Sequence, residues 1–199
     1  MAGGGVAMAH AAEPQVRIET SYGVIEARLH LSVAPISVCN FLRYVAGGYY
    51  DGGQFFRTVR HDVFAGNAVP IDVIQMEARD GEETNVYGPI MLERTSETHL
   101  THRAGALSMA RWGPDTATSS FSIVVHNSPE MDYGGRRNPD GQGFAVFGQV
   151  DRGMDVVRKI YHAEAYEEKL KMPVKISAIR LKMKDKDQPA LRAACPALF

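Results

Sequence analysis

Only two cysteines occur among the 199 residues, Cys39 and Cys195, too few for a disulfide framework, and neither stands at the short Cys or His spacing that holds zinc. Tryptophan is scarcer still, with Trp112 alone. No run approaches the roughly 18 consecutive apolar residues of a membrane span, so no transmembrane segment is expected. Neither sign of charge is in excess: 22 Lys and Arg against 23 Asp and Glu leave a formal net charge of −1. That balance lacks the basic field that nucleic acid or an anionic membrane requires. There is no internal repeat. The Gly-rich stretch 134–143 lacks the Lys-Ser/Thr ending of a nucleotide-binding loop and reads as a solvated, turn-rich connection. His99 and His102 form an H-x-x-H pair without thiols or carboxylates at ligand spacing, so they read as polar loop histidines. Neither a metal nor a cofactor is expected.

What is present fits one soluble domain. Hydrophobic residues make up 45% and charged residues 23%, enough apolar material for one sizeable core. Residues 16–20 and 24–30 are short alternating runs around Ser21-Tyr22-Gly23, the pattern of a β-hairpin. Residues 35–45 then place apolar side chains three and four apart, with Pro35 at the start and Gly47-Gly48 after the end, as in a capped amphipathic helix. Cys39 falls inside it and reads as a small core residue rather than a nucleophile. Further strands are expected at 55–59, 71–76, 106–110, 121–125, 144–150 and 174–183, and a second helix at 154–162. Many strands and two helices predict a mostly β fold, a closed antiparallel β-barrel capped at its ends, because closure removes exposed strand edges. Residues 1–14 read as a flexible tail or the remnant of an export signal, which leaves a cytoplasmic or periplasmic location open. Residues 15–184 form the expected domain and 185–199 a C-terminal appendage. The turn-rich excursion 60–70 is long for a hairpin.

Four blocks in order carry a resemblance: Gln54-Phe55-Phe56-Arg57-Thr58-Val59, Val73-Ile74-Gln75, the stretch 105–110 (Gly-Ala-Leu-Ser-Met-Ala), and 143–148 (Gly-Phe-Ala-Val-Phe-Gly). Together, over about residues 16–182, they resemble the cyclophilin family of peptidyl-prolyl isomerases. The resemblance implies an eight-stranded barrel, no cofactor, proline-containing peptides and folding proteins as partners, and a monomer.

Phe55-Phe56-Arg57 is similar to the family's Phe-His-Arg, which implies Arg57 as the catalytic residue. Gln75 matches the glutamine that binds substrate backbone, although Met76-Glu77 replaces the usual Gly-Gly after it. Ala110 and Arg111 stand where Ala-Asn commonly binds peptide backbone. Ser120 stands where Gln is usual and Ser122 where a proline-pocket Phe is usual, the most serious departures. Met131 can serve as pocket wall, whereas Glu130 cannot replace the family's aromatic. Phe144 occupies a position that many members fill with His, and His126 matches a different position. The pocket phenylalanine corresponds to Phe64 or to the Asp72 position. The implied substrate-binding set is Phe55, Phe56, Gln75, Ala110, Arg111, Ser120, Ser122, Met131 and Phe144.

Three readings follow. The first is a prolyl isomerase acting through Arg57, its activity reduced by the altered pocket. The second is a weakly catalytic module that binds proline-containing segments or a fixed partner, supported by Ser120, Ser122 and Glu130. The third, a barrel that only scaffolds an assembly, has no positive motif.

Overall fold

A computed structural model describes residues 13–62, 69–81 and 84–198. The first twelve residues of the expected tail, Phe64 and most of the 60–70 excursion therefore lie outside the described residues. The chain opens with the expected hairpin, β1 (Gln15–Thr20) and β2 (Gly23–Leu29), paired from Gln15↔Arg28 to Thr20↔Gly23. Helix α1 (Pro35–Ala46) follows, with proline in its first turn. No side chain of its own caps it. The buried Glu93 does so instead, accepting from the Ile36 and Ser37 backbone N–H groups at 2.9 and 2.8 Å and from the Ser37 hydroxyl at 2.6 Å.

The remaining elements are β3 (Gln54–Val59), β4 (Val73–Glu77), α2 (Thr95–Thr98), β5 (Ala106–Met109), β6 (Phe121–Val124), β7 (Val146–Arg152), α3 (Met154–Tyr161), β8 (Ala165–Tyr166), β9 (Lys169–Lys182) and α4 (Gln188–Ala194). Strand order is β1-β2-β7-β5-β6-β4-β3-β9, and β9 pairs back onto β1. Eight antiparallel strands thus close a barrel, with the two-residue β8 folded onto the start of β9. Helices α1 and α3 are the two expected from periodicity; α2 and α4 are short additions.

Strand β9 begins five residues before the expected 174 and so includes Pro173. The proline is tolerated since the β3–β9 ladder is irregular beside it: Phe55 pairs with Val174, but Arg57 pairs with Lys169. Strand β7 starts two residues later than expected, leaving Phe144 and Ala145 outside the ladder.

Neighbouring strands point alternate side chains to opposite faces. On β4, β5, β6 and β7 the inner set includes Ile74, Leu107, Ile123 and Phe147, which join the main core with Phe41 of α1. The Phe41 ring meets Phe121 edge-on, with centroids 5.4 Å apart, so the helix plugs the barrel with an aromatic contact. The outer set is also apolar. Val59, Ile71, Val73, Ala106, Val124, Met131 and Val146 form a second buried cluster outside the barrel. Burial on both faces explains why these strands read as nearly continuous apolar runs, and it places a hydrophobic floor on one outer face.

The cysteines depart from expectation. Cys39 and Cys195 form a disulfide with Cα atoms 5.3 Å apart, 156 residues apart in sequence. Segment 185–198 is thereby tied to α1, and Leu42, Val45, Leu181, Leu191 and Leu198 surround a small apolar gap between them. The sequence contains no sign of this pairing, because helical spacing accounts for Cys39 as core and Cys195 lies in a stretch without periodicity.

Candidate active site

Backbone register builds the site. Arg57 of β3 lies opposite Gln75 of β4, Gln75 opposite Ser122 of β6, and Ser122 opposite Ser108 of β5. The four side chains therefore form one row across four strands, on the face carrying the outer apolar cluster. Two adjoining cavities open there. The smaller, about 240 Å³, has Val59, Ile71, Val73, Met131 and Phe144 as its apolar lining and Ser108 and Ser122 among its polar groups. The larger, about 480 Å³, reaches Asn85, Pro89, Thr116, Thr118 and Ser120. Arg57, Gln75, Ala110, Arg111 and Trp112 line both.

Arg57 is held on two sides. Its Nη1 donates to Gln75 Oε1 at 2.8 Å, its Nε to Glu168 Oε2 at 2.8 Å, and its Nη2 forms a short contact with the same carboxylate oxygen. Glu168 sits in the turn between β8 and β9, where its backbone carbonyl accepts from Thr58 N at 2.8 Å. The hairpin turn is thus fastened to β3 by both backbone and side chain. On the other side, Gln75 Nε2 donates to Ser120 Oγ at 3.3 Å, and Ser120 donates to the Met76 carbonyl at 2.6 Å. The serine that stands where the family has glutamine is a buttress for Gln75.

Arg111 is almost wholly buried at its side chain and points back under the site. It donates to both Asp140 carboxylate oxygens at 2.7 and 2.9 Å and, through Nε, to the Gly143 carbonyl at 2.8 Å, with its guanidinium carbon 5.0 Å from the centre of the Phe144 ring. Hydrogen bonding to Arg111 is the main reason the Asp140 carboxyl lies below the usual carboxylate range. Gly143 has φ +67°, and a Cβ there would meet the Asp132 and Tyr133 backbone at 2.6 Å, so only glycine lets this turn close.

The stretch 134–143 is accordingly not a merely solvated connection. It folds over the smaller cavity and contributes Arg137 and Asn138 to its wall. Burial, and then the nearby Arg57 charge, lower the pKa of Arg137, while Glu168 works in the opposite direction. Glu130, which replaces an aromatic, pairs with Arg136 at 2.9 Å.

Of the expected site residues, Arg57, Gln75, Ala110, Arg111, Ser120, Ser122, Met131 and Phe144 converge on the cavity pair. Phe55 does not: it is fully buried in the barrel core. Phe56 is half-buried and lines neither cavity. Asp72 is no counterpart of a pocket phenylalanine, since its buried carboxylate accepts from the Tyr161 hydroxyl at 2.5 Å and from His61 Nδ1 at 2.7 Å. His102 is not a loop-surface histidine either. Its side chain is fully buried between Asp132 and Ser108. Glu168, 111 residues from its partner Arg57, carries no signal in the sequence, because no local pattern marks a turn glutamate as a counterion.

A closed eight-stranded barrel with an arginine–glutamine pair beside an apolar pocket on its outer face defines the class. The family description "Cyclophilin type peptidyl-prolyl cis-trans isomerase/CLD" matches residues 15–181. A peptidyl-prolyl cis-trans isomerase of Acinetobacter baylyi is 34% identical over 187 residues, covering 90% of this chain and 92% of that protein. Peptidyl-prolyl cis-trans isomerase A of Dickeya dadantii is 36% identical over 155 residues, covering 77% and 74%. A Cryptosporidium parvum cyclophilin crystallised in the presence of the dipeptide Ala-Pro shares the fold, with a TM-score of 0.69 at 24% identity, over 85% of this chain and 99% of that one. The chain belongs to the cyclophilin-type peptidyl-prolyl cis-trans isomerases.

Proposed function

We propose that the protein carries out its family's reaction, cis–trans exchange of X-Pro peptide bonds, at the Arg57–Gln75 pair. The observation that carries this reading is the placement of a doubly anchored guanidinium at the mouth of an apolar-floored cavity. An X-Pro amide keeps a rotation barrier of about 18–20 kcal/mol because its nitrogen donates into the carbonyl. No bond is made or broken; catalysis requires only that the twisted, single-bond-like state be favoured over both planar ones.

Arg57 suits that task. Three of its N–H groups are engaged by Gln75 and Glu168, and the guanidinium carries further donors for a substrate carbonyl or for the nitrogen lone pair that localises as the bond twists. Val73, Met131 and Phe144 supply apolar contact for a proline ring. Ala110 and Arg111 border both cavities, where an extended peptide would run from one to the other. Proline-containing segments of folding proteins are the substrates this chemistry serves, since uncatalysed exchange takes tens of seconds or more and can limit folding.

A second reading, a binding module with little turnover, is favoured by Ser122 and Arg137, polar groups in the wall where a proline ring would rest. One experiment decides between them: exchange NMR on an Ala-Pro-Phe peptide with the wild-type chain and Arg57→Ala. Acceleration that falls by about a hundredfold in the variant supports an isomerase acting through Arg57. Peptide binding without acceleration by the wild type supports the module, and equal acceleration by both proteins removes Arg57 from the mechanism.

A further inference from the structure

Behind the smaller cavity, at whose wall Ser108 stands, isomerase chemistry leaves one polar chain unused. Ser108 Oγ lies 2.9 Å from His102 Nε2, and His102 Nδ1 lies 2.6 Å from Asp132 Oδ1. The same carboxylate oxygen accepts from the His102 backbone N–H at 3.1 Å, fixing the aspartate against the base of the ring.

The chemistry of the partners sets the direction of these bonds. A carboxylate only accepts, so the proton on the neutral imidazole resides at Nδ1. Nε2 then presents its lone pair, and the Ser108 hydroxyl donates to it. A serine that donates to a histidine oriented by an aspartate is the arrangement in which the hydroxyl proton can leave as oxygen attacks. Order along the chain is His, Ser, Asp, and such constellations are defined by geometry rather than by sequence order.

Three surroundings favour the reaction. Ser108 and His102 are 1% and 2% exposed, so bulk water does not compete for their hydrogen bonds, yet Ser108 belongs to the lining of the cavity. Val59, Val73, Met131 and Phe144 in that lining suit a small apolar acyl group. Arg57 and Arg137 line the same space, and cationic donors there favour an oxyanion.

We propose that Ser108, His102 and Asp132 form an acyl-transfer site, with Ser108 the nucleophile toward small carboxylic esters that fit the 240 Å³ cavity. Ser108 Oγ bonds to the ester carbonyl carbon while its proton passes to His102 Nε2. The bond from that carbon to the alcohol oxygen then breaks, and His102 returns the proton to the departing alkoxide. Water repeats the sequence on the acyl-serine, giving the acid and restoring the hydroxyl. No metal, oxidant or reductant enters the balance.

The test uses the full chain in two assays, a fluorophosphonate probe followed by intact-mass and peptide mapping, and p-nitrophenyl acetate hydrolysis. The expected result is a single phosphonyl adduct on Ser108, together with ester hydrolysis that Ser108→Ala reduces to the buffer rate. Asp132→Asn, which keeps the shape and one oxygen but removes the negative charge that stabilises the imidazolium and allows the amide N–H to face the ring, is expected to slow labelling by at least about a hundredfold. Unchanged melting curves for both variants separate loss of chemistry from loss of fold. An Ala-Pro-Phe peptide should protect Ser108 from the probe, because both occupy the same cavity.

Absence of an adduct, an adduct on another residue, or labelling of Asp132→Asn at the wild-type rate would overturn the proposal and leave the three residues as a buried structural hydrogen-bond chain. That failure is separable from failure of the isomerase reading, which is scored by exchange NMR on the same protein.

Discussion

Arg57 and Gln75 face each other across the β3–β4 ladder, and the arginine's Nη1 donates to the glutamine's Oε1 at 2.8 Å. Gln75 therefore has two tasks, steadying the guanidinium and offering its amide to substrate backbone. Replacing it by alanine leaves Glu168 still holding Arg57. The expected effect of Gln75→Ala is a five- to tenfold drop in kcat/KM, the equivalent of roughly 1 kcal/mol for a single hydrogen bond. Exchange NMR over a range of peptide concentrations should place most of the loss in KM.

Glu168 acts on the same arginine from the opposite side and is not itself part of the lining of either cavity. It is a positioning residue: two of its contacts fix the plane of the guanidinium. Glu168→Ala should lower kcat by about tenfold, in line with losing charge-assisted hydrogen bonds, while peptide affinity changes little. Glu168→Gln, which keeps an acceptor, should recover part of the activity. Glu167→Gln in the same turn, where the side chain is exposed, should leave the rate unchanged. Full activity in Glu168→Ala, with Arg57→Ala inactive, would remove the positioning role.

Trp112 borders both cavities and is 77% exposed, and no other tryptophan contributes fluorescence. Covering its indole with a peptide replaces water by protein. Titration with a proline-containing peptide should shift the emission to shorter wavelength and saturate with the dissociation constant obtained by NMR. An emission spectrum unchanged at saturating peptide would place the substrate away from this rim.

Much of the site was legible because it is encoded locally. Alternation of side chains, the hairpin glycine and the helical spacing of α1 follow short-range rules, so most strands and the two main helices were expected where they stand. Arg57 and Gln75 lie in strands whose motifs can be read within a few residues. Glu168, the disulfide and the buried His102–Asp132 pair were not legible, since each joins residues that only the closed barrel brings together. Cys39 illustrates the limit: its position in α1 satisfies the core pattern, and nothing nearby identifies Cys195 as its partner. The stretch 134–143 departs from its expected solvated character for a related reason. Turn-rich composition describes its backbone, whereas its function as the cover over Arg111 depends on Asp140 and Gly143 meeting a strand end about thirty residues earlier.

Asp72 should govern part of the acid stability. Burial alone would raise its pKa, but hydrogen bonds from the Tyr161 hydroxyl and from the backbone and ring of His61 outweigh that and hold the carboxyl below its ordinary value. A depressed folded-state pKa contributes stability that is present above the unfolded value, near 3.9, and is lost as pH falls through the folded one. Asp72→Asn should cost about 2 kcal/mol at neutral pH and flatten the fall in stability below about pH 4. Urea melts at pH 7 and at pH 3 check this; an equal gap between variant and wild type at both values would contradict it.

The Cys39–Cys195 bond closes a loop of 156 residues between α1 and the segment following the barrel. Cross-linking over such a span restricts the unfolded chain, for which the expected stabilisation is about 2–5 kcal/mol. Cys39→Ser with Cys195→Ser should lower the melting temperature by several degrees. Substrate exchange should be retained, because neither cysteine lines the two cavities around Arg57. Such bonds persist in oxidising surroundings, so protein purified without reductant should show no titratable thiol until it is denatured and reduced. If the C-terminal segment owes its position to the bond, the double variant should also be cleaved by protease between Lys184 and Arg192 while the barrel stays intact. Resistance there equal to that of the wild type would mean that packing of Leu191 and Leu198 against Leu42 and Val45 holds the segment without the cross-link.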